Sequence, residues 1–264
     1  MAQIDLCLQD LLRKLKEASI ASAYLNNKDS VNQDIKSIIK RVYIATALHD
    51  KTVFSIMGGQ GAGKTKLLRS LYDLDTRWLS DNEGRGEKLP VLILESDEIT
   101  EPYASIDRMT EDESGNLMIE QGAKVLSPED FQQAIRGEFT NSLLPTLNVP
   151  RRYFNDNKSG FVLLPGYEQV NSQNKVWQNL MKHALAFSSG AIVVTDQTRL
   201  ANASQVQINK DIKDKYFTDS KPLFVVSKTE SLPDADKPEL LERCQSIFSV
   251  PEHELDRIVL VGDG

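Results

Sequence analysis

The chain has 264 residues, 40% of them hydrophobic and 26% charged, with 38 acidic against 31 basic side chains and a formal net charge of −7. That composition is ordinary for a soluble globular protein and long enough for one large α/β domain, or one domain plus an appendage. Without a Lys/Arg-rich run, the acidic balance argues against nucleic-acid binding and against a basic patch docking on an anionic membrane.

The amino-terminal stretch MAQIDLCLQDLLRKLKEAS mixes charges into its apolar residues, so it does not read as a signal peptide. No apolar run approaches the ~20 residues that span a bilayer. The two cysteines, Cys7 and Cys244, lie far apart and support neither a disulfide framework nor a zinc site. The expectation is a cytoplasmic protein without a transmembrane segment, touching membrane only through regions not in this chain.

Two helices are expected first. Ile4, Leu8, Leu11, Leu12, Leu15 and Ala18 recur at helical spacing, and NNKDS marks a turn. A second helix is expected from Val31 to about Leu48, with Ser30 as its N-cap and Ile35, Ile38, Ile39, Val42, Tyr43 and Ala47 on one face. Residues 1–49 are read as a helical segment, either a hairpin packed on the main domain or an element that docks segments beyond the chain's end. Residues 50–264 are read as the main domain.

From TVFSIM (52–57) the pattern changes to short continuous apolar runs: PVLILE (90–95), FVLLP (161–165), AIVVT (191–195), PLFVVS (222–227) and RIVLVG (257–262). Such runs suit parallel strands buried on both faces. TKLLRSLY (65–72), SPEDFQQAIRGEF, VWQNLMKHALAFS and PELLERCQSIF read as the helices between them. The fold class expected is therefore α/β, a doubly wound, mostly parallel sheet with helices on both faces and the amino-terminal helices added. Residues 97–127 and 145–160 read as loops.

GGQGAGKT (58–65) fits Gly-x-x-x-x-Gly-Lys-[Ser/Thr] in full, after an apolar strand and before a helix. Glycines let successive N–H groups turn inward onto phosphate oxygens, and the following helix adds its positive end. Gly58, Gly59, Gln60, Gly61, Ala62, Gly63, Lys64, Thr65 and Lys66 form the expected nucleotide cradle, with Lys64 on the β/γ-phosphates and the Thr65 hydroxyl on Mg²⁺. Two stretches compete for the second acid. VLILESDE ends in Asp97-Glu98, which resembles the acid pair of P-loop ATPases. FVLLPGYE (161–168) lacks an acid but carries Pro165-Gly166 at a strand end.

Ser227-Lys228-Thr229-Glu230 follows an apolar strand, where P-loop GTPases place [Asn/Thr]-Lys-x-Asp for guanine recognition. At this point the chain resembles the dynamin-like large GTPases, from about Val53 to Gly262. GGQGAGKT is close to their P-loop, FVLLPGYE to Asp-Leu-Pro-Gly, SSGAIVVTDQTRLANAS to the next strand and loop, and RIVLVGDG to the last strand. The long gap between P-loop and Pro-Gly and the two leading helices are similar as well.

The resemblance implies a three-layer P-loop GTPase fold that binds GTP or GDP with Mg²⁺ and self-associates across the nucleotide face. It places Gly166 near the γ-phosphate, and Ser227, Lys228 and Glu230 at the guanine. It assigns Gln60 to positioning the attacking water; hydrolysis would also need Lys64, helped by Arg85 of the switch segment, whose charge would neutralise the transferring phosphate. The departures are four: Glu87 where the family has the switch threonine, Leu163 for the strand aspartate, Gly61 for the P-loop serine, and Glu230 for aspartate. The reading expected is guanine-nucleotide binding with slow or assembly-dependent GTP hydrolysis driving conformational change or self-assembly. The alternatives are a P-loop ATPase or kinase using Asp97-Glu98, and a nucleotide-sensing scaffold that does not hydrolyse.

Overall fold

The structure, a computed structural model, describes residues 2–22, 24, 28–80, 88–113, 117–139, 141–168, 175–200, 208, 210 and 221–262. Helices α1 (Ala2–Ser22) and α2 (Lys28–Leu48) come first. Strand β1 (Thr52–Met57) then leads through the glycine-rich loop into α3 (Lys64–Tyr72). Next come β2 (Val91–Ser96), β3 (Tyr103–Glu111), β4 (Leu117–Leu126), α4 (Pro128–Ile135), β5 (Ser142–Pro150) and β6 (Ser159–Leu163). The chain continues with α5 (Lys175–Ala186), β7 (Gly190–Asp196), β8 (Leu223–Ser227), α6 (Lys237–Phe248) and β9 (Ile258–Leu260).

The described strands form one nine-stranded sheet in the order β4-β3-β5-β2-β6-β1-β7-β8-β9. The half from β6 to β9 is parallel throughout. In the other half β2 and β5 are parallel to each other, while β2 runs antiparallel to β6 and β3 antiparallel to both neighbours.

Continuous apolar runs arise because both sheet faces are covered. Successive residues of β6 show it: Val162 joins one core with Met57, Leu92 and Leu144, and Leu163 joins the other with Ile56 and Ile93. The first core is closed by Leu12 of α1, Ile39, Tyr43, Ile44 and Leu48 of α2, Leu180, Met181 and Leu185 of α5, and Leu240, Cys244 and Phe248 of α6. The second is closed by Leu68 and Tyr72 of α3 and by Phe131, Ala134 and Ile135 of α4. The result is three layers. The leading helices belong to one outer layer, tied to the sheet also by the Tyr43 hydroxyl donating to Asp107 at 2.6 Å. No helix among the described residues is long and apolar enough to cross a membrane.

Three local expectations need correction. Ser30 is not the N-cap of α2, because the helix already runs from Lys28. Residues 97–127 are not loop, since β3 and β4 lie there, and 145–150 belong to β5. In β3 the alternation is hidden by a bulge between Ile106 and Arg108, which shifts the buried positions from Ala104 and Ile106 to Met109. In β5 the two prolines hide the strand. Pro145 faces Ile106 of β3 one rung before the β2 ladder starts at Thr146, and Pro150 is the last residue. By contrast, Ser127 caps α4 as its sequence implies, accepting from the Asp130 N–H at 3.1 Å.

Candidate nucleotide site

The parallel strands deliver their carboxyl ends to one edge, where ligands of open α/β sheets bind. Leaving that edge are the glycine loop after β1, the Pro-Gly turn after β6, Asp196 ending β7, Ser227 ending β8 and Gly262 after β9.

The glycine loop is shaped by backbone conformations that side chains resist. Gly61 has φ +72° and Gly63, the N-cap of α3, has φ +91°. Gly58 lies so close to β7 that a Cβ there would stand 2.1 Å from the Val194 carbonyl oxygen. Lys64 is buried, and its ammonium donates to the Gly58 carbonyl at 3.3 Å and to the Gly59 carbonyl at 3.0 Å. The lysine therefore lies folded along the loop. Thr65 is half-buried in the first turn of α3, and Gln60, Gly61 and Lys66 are exposed.

The Pro-Gly turn rests on this loop. The Tyr167 N–H donates to the Gly58 carbonyl at 3.0 Å, and Gly59 and Tyr167 form an isolated parallel bridge. A Cβ on Gly166 would stand 3.2 Å from Gln60 Cα, so glycine permits the close approach. Behind the turn, Gln178 of α5 is fully buried; its amide donates to the Gly166 carbonyl at 2.9 Å and accepts from the Glu168 N–H at 3.4 Å.

The Ser-Lys-Thr-Glu loop joins the same edge. The Ser227 hydroxyl can donate to the Ala62 carbonyl at 2.8 Å or to the Thr195 carbonyl at 3.2 Å. Lys228 adopts φ +61°, a left-handed conformation unusual for a lysine, and its ammonium pairs with Asp196 at 2.5 Å. Asp196 is 3% exposed where Lys228 is 49% exposed. Burial pushes the Asp196 carboxyl up, but the Lys228 ammonium and the N–H and hydroxyl of Thr198 more than reverse this and hold it below the ordinary carboxylate range. The pair fixes the lysine stem across the loop, with Glu230 exposed beyond it. Gly262 abuts Glu230: a Cβ would come within 2.7 Å of its backbone nitrogen.

The structure thus gathers Gly58 to Lys66, Gly166, Ser227, Lys228 and Glu230 at one sheet edge. Arg85 and Glu87 lie outside the described residues. Asp97-Glu98 do not belong to this site. Because β2 is antiparallel to β6, pairing Val91 with Leu163 and Leu94 with Gly160, its carboxyl end points to the opposite edge. Asp97 lies roughly 20 Å along the strands from the level of Leu163, at 3.3 Å per residue. It pairs there with Arg151 at 3.3 Å. Sequence reasoning missed three supporting residues, Asp196, Gln178 and Gly262. Asp196 was legible in principle as an acid ending an apolar strand. The other two act through contacts between chain-distant segments.

The donor set bears on Mg²⁺. Thr65 offers one hydroxyl at the start of α3, but Leu163 is fully buried in the apolar core between sheet, α3 and α4. No group of three or more His, Cys, Asp or Glu suited to a metal ion occurs among the described residues. Such a set fits an ion carried in on nucleotide phosphates, as Mg²⁺ commonly is, rather than a metal caged by protein carboxylates.

The strand order, glycine loop and Pro-Gly turn define the fold of the dynamin-like P-loop GTPases. Solved structures of an oligomerised bacterial dynamin pair, which provides a mechanism for the long-range sensing and tethering of membranes, share it. One matches over 94% of this chain and 36% of its own, with TM-score 0.53 and 14% identity. Another matches over 98% and 45%, with TM-score 0.50 and 16% identity. This chain therefore spans less than half the length of either. Era of Aquifex aeolicus, bound to GDP and AlF4⁻, matches over 80% of this chain and 51% of its own, with TM-score 0.43 and 12% identity. No protein-family model and no curated protein matches the sequence.

Proposed function

We propose that the chain is a guanine-nucleotide-binding module of the dynamin-like class. It binds GTP and GDP at the glycine loop and turns GTP over slowly, faster when copies assemble across the nucleotide face. The observation that carries this reading is the hydrogen bond from Ser227 to the Ala62 carbonyl, which joins the base-reading loop to the phosphate loop in one site. Lys64 and the inward N–H groups of residues 59–65 would hold the phosphates, with the Thr65 hydroxyl on the accompanying Mg²⁺. The Lys228 stem would lie on the guanine while Glu230 accepts from its N1–H and 2-amino groups. Mg²⁺, when bound, would neutralise phosphate charge. The exposed Gln60 would orient water, and Arg85 would add charge from the switch segment. Assembly is supported by the oligomerised bacterial dynamin pair that shares the fold.

Calorimetric titration with GTP, GDP and ATP in Mg²⁺ tests the reading. Guanine nucleotides should bind more tightly than ATP, and Lys64→Ala should abolish binding. A clear preference for ATP sinks it. Phosphate release per protein should rise with protein concentration; release that stays at zero throughout favours a second reading, a nucleotide-sensing scaffold. That reading is supported by Leu163, an apolar side chain sealed where the family places its acid.

A further inference from the structure

Arg199 ends a short 3-10 turn, Gln197–Arg199, that follows β7 directly. The base of the turn is fixed. Buried Asp196 accepts from the backbone N–H and the hydroxyl of Thr198, each at 2.8 Å. The arginine itself is exposed, and its guanidinium reaches over the rim of the glycine loop to donate to the Gln60 carbonyl at 2.8 Å. Its two terminal nitrogens lie 3.6 and 3.9 Å from where a Cβ on Gly61 would stand, an ordinary van der Waals distance, so the guanidinium lies directly beside the glycine loop. Gly166 of the Pro-Gly turn also approaches Gln60, where a Cβ on it would stand 3.2 Å from Gln60 Cα.

A single bond to an exposed neutral carbonyl is a modest use of a guanidinium, which carries five donors and favours paired contacts to phosphate. Lys64 of the glycine loop is itself buried against the Gly58 and Gly59 carbonyls. A triphosphate brings a terminal group that a diphosphate lacks, and Gln60 and Gly166 form the rim it would meet. We propose that Arg199 is a triphosphate-sensing residue: its guanidinium leaves the Gln60 carbonyl for the terminal phosphate, so the site ranks nucleoside triphosphate above diphosphate. The proposal rests on the nucleotide-site reading but not on the identity of the base.

The test is calorimetry in Mg²⁺ on the 264-residue chain. The probes are GDP, ADP and the non-hydrolysable β,γ-imido analogues of GTP and ATP, and the proteins are wild type, Arg199→Ala, Arg199→Lys and Lys64→Ala. Loss of one charge-assisted phosphate contact should weaken the triphosphate analogue in Arg199→Ala by about tenfold or more, leaving the diphosphate within about twofold. Arg199→Lys should restore part of the difference. Equal weakening of both nucleotides, or of neither, overturns the proposal. A wild type that prefers adenine nucleotides sinks the guanine reading alone, because the adenine pair then reads Arg199. A wild type that binds none of the four probes overturns the nucleotide site and the proposal together.

Discussion

Leu163 offers a direct measure of how far this site departs from an acid-bearing one. It is fully buried, with Ile56, Ile93, Phe161 and Leu68 in the same core. Leu163→Ala should lose about 2–5 kcal/mol, the range for emptying a leucine site in a core. Leu163→Asp should lose that and more, in a pH-dependent way. Burial would raise the new carboxyl above its unfolded value of about 3.9. Above that pH the unfolded chain is ionised while the folded one remains protonated, so stability falls as pH rises towards the folded pKa. The slope is about 1.4 kcal/mol per pH unit, and the gap between the two variants should widen by about 2.7 kcal/mol from pH 5 to pH 7. Urea denaturation of wild type and both variants at those two pH values reads this gap. A gap that does not change with pH would mean that the carboxylate stays ionised in the folded state. Leu163 would then not be sealed from water, and the account of the altered phosphate strand would be wrong.

The other expected outcomes concern neighbouring features. Gly262→Ala should loosen the Ser-Lys-Thr-Glu loop, because its Cβ would press within 2.7 Å of the Glu230 backbone; the readout is weaker GTP binding with the GTP-to-GDP ratio preserved. Glu95 is buried and accepts from the N–H groups of Arg152, Tyr153 and Phe154 and from the Tyr72 hydroxyl. Burial pushes its carboxyl up, but these donors more than reverse the shift and hold it below the ordinary glutamate value of 4.5. The resulting stability is present above that value and lost as pH falls through the depressed one. Glu95→Gln should therefore be less stable at pH 7 yet show a shallower loss on acidification, measured by thermal unfolding across pH 3–7. Asp97→Ala and Glu98→Ala should leave nucleotide affinity within about twofold, since surface substitutions remote from a site act weakly; a loss as large as that of Lys64→Ala would contradict the strand directions.

What the sequence disclosed was whatever depends on local pattern. The glycine loop shows itself because its backbone demands particular residue types at fixed spacing. Strands covered on both faces show themselves as unbroken apolar runs. β3, β4 and β5 escaped for reasons equally physical: a bulge resets the alternation in β3, prolines interrupt β5, and β4 lies at the edge of the described sheet. The direction of β2 was not legible at all, because VLILES reads the same whichever way it runs beside its neighbour. That one bit of topology separates Asp97-Glu98 from the phosphate loop. Arg199, Gln178 and Gly262 are likewise defined by contacts between segments far apart in the chain.

Gln178 has a mechanical consequence. Its side chain hooks the Gly166 carbonyl to α5, and α5 lies against α2 of the leading hairpin. The described contacts from that hairpin to the glycine loop run helix against helix, amide to turn and turn to loop. Sliding α5 along its axis must drag the Pro-Gly turn with it or leave a buried amide without its partner. The leading hairpin and the glycine loop are thus joined through α5 by helix packing and one buried amide bond.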